Sequence, residues 1–226
     1  MTNKQFPYCE SAADLSKEQW RQLPPATVAY QQWSAVAQPP ETEVRGVYDD
    51  HALYLQFQVF EVAPVIRHRQ DGAPVYEDSC VEFFFQPLPA EDARYFNFEL
   101  NAAGMLLLEI GEPGKERNRI AVANAGQRFG IRSEVGLWEP VGGRMYWELY
   151  LRIPFTFVQE WFPTFRAIPG TVMRGNFYKC GDLTPEPHYL SWSPVQSDVP
   201  NFHRPDSFGM IMFGGRQTTV SRLLSR

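Results

Sequence analysis

No apolar run in this 226-residue chain approaches the roughly 18 residues that a membrane-spanning helix requires, so no membrane partner is expected. Histidine is scarce. His51, His68, His188 and His203 show no His-x-x-x-His or Cys/His spacing, so no zinc site is expected from them. Cysteine is scarce and odd in number: Cys9, Cys80 and Cys180 share no metal-type spacing and cannot build a disulfide framework. Cys80 and Cys180 lie in apolar strand patterns and read as buried free thiols. Basic residues are scattered and the net charge is −5, so no electrostatic footprint for nucleic acid exists. G-x-S-x-G, Walker and G-x-G-x-x-G motifs are absent. The start, MTNKQFPYCE, lacks the apolar core of a secretory signal. As written the chain reads as cytoplasmic, and as secreted or periplasmic if a signal has been removed.

What the chain has is aromatic side chains, 15% of its residues, set in segments that alternate apolar and polar positions. That period of two belongs to half-buried strands. The 16 glycines and 19 prolines punctuate the chain throughout, as many turns require. Residues 1–25 read as an approach segment with one short helix, KEQWRQL, capped by Ser16 and stopped by Pro24-Pro25. A strand is expected over 27–33. Strands over 43–48 and 52–61 flank the hairpin turn Asp49-Asp50-His51. In the second arm Leu53, Leu55, Phe57 and Val59 oppose Tyr54, Gln56 and Gln58. After a loop over 63–75, Val81, Phe83 and Phe85 oppose Cys80, Glu82 and Phe84. Phe96, Phe98 and Leu100 likewise oppose Tyr95, Asn97, Glu99 and Asn101.

Ala102-Ala103-Gly104 turns the chain into a strand over 105–110. A polar loop over 111–127 then leads to a strand pair over 128–135 and 145–153. A helix is expected over 155–162, between Pro154 and Pro163. Strands over 171–180, 189–193 and 207–213 close the domain, and the tail after Gly215 reads as a frayed polar end. The sum is one all-β domain, an antiparallel β-sandwich with one or two short helices and a core over about 25–213. Leu53, Leu55, Phe57, Phe83, Phe96, Phe98, Trp147 and Leu149 are expected inside.

Rings flanked by hydrogen-bonding groups recur in two places: YEDSCVEFFFQ over 76–86, and RGNFYKCGD, HYLSWSPV and NFHRPDSFGMIMF within 174–213. A sugar offers apolar C–H faces and many hydroxyls, so this mixture suits carbohydrate. VRGVYDDHALYLQFQV, EDSCVEFFFQP and the ordered pieces NFYKCGD, SWSP and HRPDSFG resemble family 9 carbohydrate-binding modules. Such modules occur on xylan-degrading enzymes and as stand-alone bacterial proteins. The resemblance implies a DOMON-like, jelly-roll sandwich that serves polysaccharide catabolism by binding mono-, oligo- or polysaccharide without catalysis. The best-known members clamp a terminal sugar between two tryptophans. Tyr76 and Phe202 stand at those positions, so smaller rings replace both. Glu82 matches the acidic residue six positions beyond the first ring. Glu99 falls where those members carry a cation, and Lys179 where they carry an amide. The family often holds structural calcium, whose ligands do not carry over residue by residue.

Each candidate has a second reading. Tyr76 is either a rim ring or a cap on the core, and Phe202 either a stacking platform or a plug over the sheet edge. Glu82 either accepts from sugar hydroxyls or pairs within the sheet, with Lys179 as its natural partner in both cases. Glu99, Asn97 and Asn101 read, taken alone, as a solvated face. His203 and Arg204 either donate to a ligand or anchor their loop to a carboxylate such as Asp198. Trp192 reads as core. Two other functions stay open. An accessory or catalytic glycoside hydrolase domain would use Glu82 and Glu99 as its pair. A haem-binding DOMON-type domain would draw on Met105, Met145 or Met173 with His188 or His203, though no spacing singles out a pair.

Overall fold

The computed structural model describes residues 2–216. The expected tail therefore falls largely outside the described residues. Two sheets pack face to face. The first has nine strands: β1 (Asn3–Phe6), β3 (Tyr30–Gln31), β6 (Cys80–Gln86), β7 (Tyr95–Asn101), β8 (Leu106–Gly111), β9 (Asn118–Arg119), β12 (Val172–Cys180), β13 (Tyr189–Ser191) and β14 (Gly209–Phe213). Its main path runs β1-β14-β12-β6-β7-β8-β9, while β13 pairs with β12 and β3 with β13. The second sheet orders β10 (Arg132–Trp138), β11 (Met145–Pro154), β5 (Ala52–Phe60), β4 (Glu41–Tyr48) and β2 (Ala26–Thr27). Three short helices, α1 (Lys17–Gln22), α2 (Ala125–Arg128) and α3 (Phe155–Trp161), complete the described residues.

Strand alternation builds the core. Leu55, Phe57 and Val59 of β5 and Trp147, Leu149 and Leu151 of β11 face inward from one sheet. Phe83 and Phe85 of β6, Phe96, Phe98 and Leu100 of β7, and Phe177 of β12 meet them from the other. Phe83 stacks on Phe177 with centroids 4.9 Å apart and on Phe85 at 4.7 Å. The eight residues expected inside are all buried, as is Trp192.

Four expectations need correction. First, residues 1–25 are integral. β1 pairs in parallel with β14, so the sandwich is not wholly antiparallel. Trp20 of α1 joins Cys9, Leu23, Val47 and Tyr54 in a second apolar cluster on the outer side of the five-stranded sheet. Ser16 does cap α1, through a reciprocal box with Gln19. Second, the strand over 27–33 is two pieces in different sheets: β2 pairs with β4 and β3 with β13. The chain crosses between layers at buried Val28. Third, the loop over 111–127 contains β9 and runs into α2, which delays the next strand to Arg132. Asn124 and Gly130, both at positive φ, bracket that single turn. Fourth, β13 stops at Ser191, and a 3₁₀ turn over Pro205–Ser207 precedes β14.

Candidate functional site

The strand positions that do not face the core face outward from the nine-stranded sheet. Cys80, Glu82 and Phe84 of β6 alternate with its inward rings, and Asn97 and Glu99 of β7 do the same. Leu107 and Glu109 of β8 and Tyr178 and Cys180 of β12 extend this outer face. Loops close over it and leave a cavity of about 370 Å³, within the ~300–1,000 Å³ of ordinary ligand sites. Its floor is Glu82, Phe84, Glu99, Leu107, Glu109 and Cys180. Tyr76, on a 3₁₀ turn over Val75–Glu77, lines it with Asp182, Arg119, Trp33 and Tyr189. The loop bearing Pro200, Asn201, Phe202 and His203 completes the lining.

The floor is made of buried carboxyls. Glu82 and Glu99 are register partners across β6–β7, at 3% and 4% exposure, so neither keeps its hydration. Burial, then the neighbouring Cys180 and Glu99, drives the Glu82 carboxyl well above its ordinary range. Burial lifts Glu99 to about 8, even though Asn97 Nδ2 donates to it at 2.7 Å. Asp182 rises to about 6, through burial and the nearby Glu77. At neutral pH Glu99 is therefore mostly a carboxylic acid, able to donate as well as accept, and burial favours the neutral form of Glu82 in the same way.

Arg119 reaches this floor from β9 with its guanidinium 3.4 Å from Glu109 Oε1, while its Nη1 donates to Gly72 O at 2.9 Å. The Arg117 guanidinium carbon sits over the Tyr95 ring, 4.0 Å from its centroid, and the group bonds Asn97. Burial, then Arg117, lowers His203 to about 4, so its imidazole is neutral. Its Nδ1 lies 3.0 Å from the Tyr95 hydroxyl.

The aromatic wall differs from a pair of free plates. The Phe202 ring stacks on Tyr178 at 4.0 Å and 14°, so one of its faces is already covered. Its flank meets Trp33 at 5.3 Å and Tyr189 at 6.2 Å. Trp33 holds a left-handed backbone, φ 55°, which a large side chain rarely adopts. Its Nε1 donates to Ser197 O at 2.7 Å, and its ring meets Tyr189 edge-on. Tyr76 is 38% exposed and is the more open ring.

Five of the seven residues expected at a site thus line one cavity: Tyr76, Glu82, Glu99, Phe202 and His203. Two do not. Lys179 alternates with Tyr178 and Cys180, so its side chain enters the sandwich on the Phe177 side. Its ammonium donates to His188 Nε2 at 2.8 Å and to Cys180 O at 2.9 Å, and lies 3.6 Å from Glu61. It is not Glu82's partner. Arg204 bonds Asp206 rather than Asp198 or the cavity. The reading of the Glu99 strand as a solvated face also fails, because Asn97 and Asn101 are fully buried. His188 has both nitrogens engaged, Nδ1 with Glu186 O at 2.8 Å and Nε2 with Lys179. Burial and that ammonium lower it to about 4.

Asp182, Arg119, Trp33 and Tyr189 were missed. Asp182 continues the parity of Tyr178 and Cys180, a signal present in the sequence. Arg119 sits in what reads as a polar loop, and Trp33 arrives through a layer crossing that no periodicity reveals.

The carbohydrate-binding family 9 model matches residues 14–213. No curated protein matches the sequence. Among solved structures, a candidate carbohydrate-binding protein from Bacteroides uniformis ATCC 8492 is 30% identical, with a TM-score of 0.76 over 94% of this chain and 99% of that one. A family 9 module from Caldicellulosiruptor kristjanssonii, solved with cellotriose and with glucose, shares the fold at 14% identity and a TM-score of 0.63, over 95% of this chain. The family match spans both outer sheet strands and cavity loops, and with it the β-sandwich and the carbohydrate-binding function are accounted for: the chain belongs to carbohydrate-binding family 9.

Proposed function

We propose that this protein binds a mono- or oligosaccharide in the cavity on the outer face of the nine-stranded sheet, and does not turn it over. The observation that carries this reading is that Tyr76 and Phe202 line one cavity together with buried carboxyls. The open Tyr76 ring offers an apolar face for sugar C–H groups, and the loop rings exclude water beside it. Glu99, Asp182, Glu109 and Arg119 supply hydroxyl partners, with Glu82 at the bottom. A neutral carboxyl suits a sugar hydroxyl well, since each group both donates and accepts. The Caldicellulosiruptor module's glucose and cellotriose make gluco-configured sugars the first to test.

The same electrostatics argue against hydrolysis. A glycosidase pair needs one protonated and one ionised carboxyl. Burial pushes both Glu82 and Glu99 upward, Glu99 to about 8, so neither environment favours the ionised form that the pair's nucleophile or base would need. Incubation with xylan, cellulose or aryl-glycosides should release no product. Release abolished by Glu99→Gln would overturn this. A glycan array, run with and without calcium, identifies the sugar. Calorimetry with the best ligand should then show Tyr76→Ala weakening binding by about 1.5–3 kcal/mol, the worth of a large apolar side chain. Unchanged affinity would remove Tyr76 from the site.

A further inference from the structure

Two cysteines far apart in the sequence stand side by side in the fold. Cys80 and Cys180 are register partners across β6–β12, both free and both on the outer face. Glu82 is the next residue on that face. One carboxylate oxygen of Glu82 and the two sulfurs all lie within 4.8 Å of one another. Cys180 Sγ is 3.1 Å from Glu82 Oε1. Exposure is 0%, 3% and 1% for Cys80, Glu82 and Cys180. The second carboxyl oxygen, Glu82 Oε2, is buried with no hydrogen-bond partner among the described residues. A buried polar atom in that condition is costly and calls for a reason.

The geometry points to a zinc site: Cys80, Cys180 and Glu82 are three protein ligands of a divalent zinc-type cation whose fourth position opens to the cavity. Tetrahedral zinc, with Zn–S near 2.3 Å and Zn–O near 2.0–2.2 Å, sets its ligand atoms about 3.4–3.8 Å apart. The three ligand atoms lie within 4.8 Å of one another, so closing on a cation asks for side-chain shifts of about 1 Å at most. Two thiolates select a borderline or soft cation. Calcium and magnesium, which want a shell of oxygens, find only one carboxylate among these three ligand groups. Cys180 and Glu82 line the cavity and Cys80 lies behind them, so a cation enters from the cavity side and presents its open position there. Water fills that position in the free protein, and a ligand hydroxyl is able to replace it. Histidine and cysteine spacing pointed away from zinc because spacing reads neighbours along the chain, whereas these ligands meet through strand register. The inference does not rest on carbohydrate binding.

The test is a cobalt titration of the full-length reduced protein, without sugar. One equivalent of Co²⁺ should produce a thiolate-to-cobalt charge-transfer band and tetrahedral d–d bands, and Zn²⁺ should displace it. Cys180→Ser and Cys80→Ser should each diminish the charge-transfer band. Serine in a buried place can unfold the chain, so Glu82→Gln serves as the second variant. It keeps both thiols and the side-chain shape, and should weaken zinc binding at least about 100-fold, beyond the loss typical of an outer partner. No charge-transfer band from wild-type protein with three titratable thiols overturns the proposal. So does a band unchanged in Cys80→Ser, or zinc affinity unchanged in Glu82→Gln. A protein that binds cobalt but no sugar retains this site and loses the functional reading, so the two failures are distinguishable.

Discussion

At the scale of single residues, burial decides charge. Glu99 rises from 4.5 to about 8 in the folded protein, so folded chains hold a proton that unfolded chains release between those values. Its contribution to stability is greatest below pH 4.5 and falls as pH rises towards 8. His188 and His203 act in the opposite sense. Both are lowered from 6.5 to about 4, so they destabilise as pH falls below 6.5 and are silent above it. The window from pH 6.5 to 8 therefore isolates the buried carboxyls. Denaturant unfolding across it should show stability falling by about 1.4 kcal/mol per pH unit for each retained proton. Glu99→Gln should flatten that slope, and an equal slope in the variant would contradict the assignment.

Lys179 supplies the converse case. Lys179→Met strands the Glu61 carboxylate and removes the His188 bond, so stability should drop by about 3–5 kcal/mol. Sugar affinity of the folded variant should be unchanged. Lost affinity at full stability would return Lys179 to the site. Parity along β12 already separated Lys179 from Tyr178 and Cys180, so its misplacement was readable. What the sequence could not show is that Glu82 and Glu99 face each other without a cation between them. That depends on pairing between strands.

At the scale of elements, strands with a clear period of two were legible: β5, β6 and β7 follow the alternation read for them, and β4, β11 and β12 lie close to their expected spans. The turn chemistry of Asp49-Asp50-His51 and the cap Ser16 were legible too. β1 was not, because NKQF carries a single apolar residue and takes its order from an edge. Phe6 supplies what the pattern hides. Its ring is fully buried against Gly46, where an added Cβ would come within 2.3 Å of it. Phe6→Ala should cost about 3–5 kcal/mol, and Gly46→Ala about 1–3 kcal/mol through overpacking. Phe6→Leu in the Gly46→Ala background should recover part of that loss. A strictly additive double mutant would show that the two do not touch.

At the scale of the whole molecule, the two outer faces of the sandwich meet different fates. The N-terminal segment covers one with the cluster around Trp20. Loops roof the other and leave the cavity between Tyr76 and Phe202. The motifs placed both rings near one site, because each lies beside the outward-facing residues of the same sheet. They could not reveal that Phe202 spends one face on Tyr178, or that Trp33 and Asp182 join the wall. Those contacts come from layer crossings and loop packing. The most direct test is a crystal structure with the best sugar from the array. The sugar ring should lie in this cavity, against Tyr76 and within hydrogen-bonding distance of the carboxyl floor. A sugar bound on another surface, with the cavity empty of it, would contradict the account.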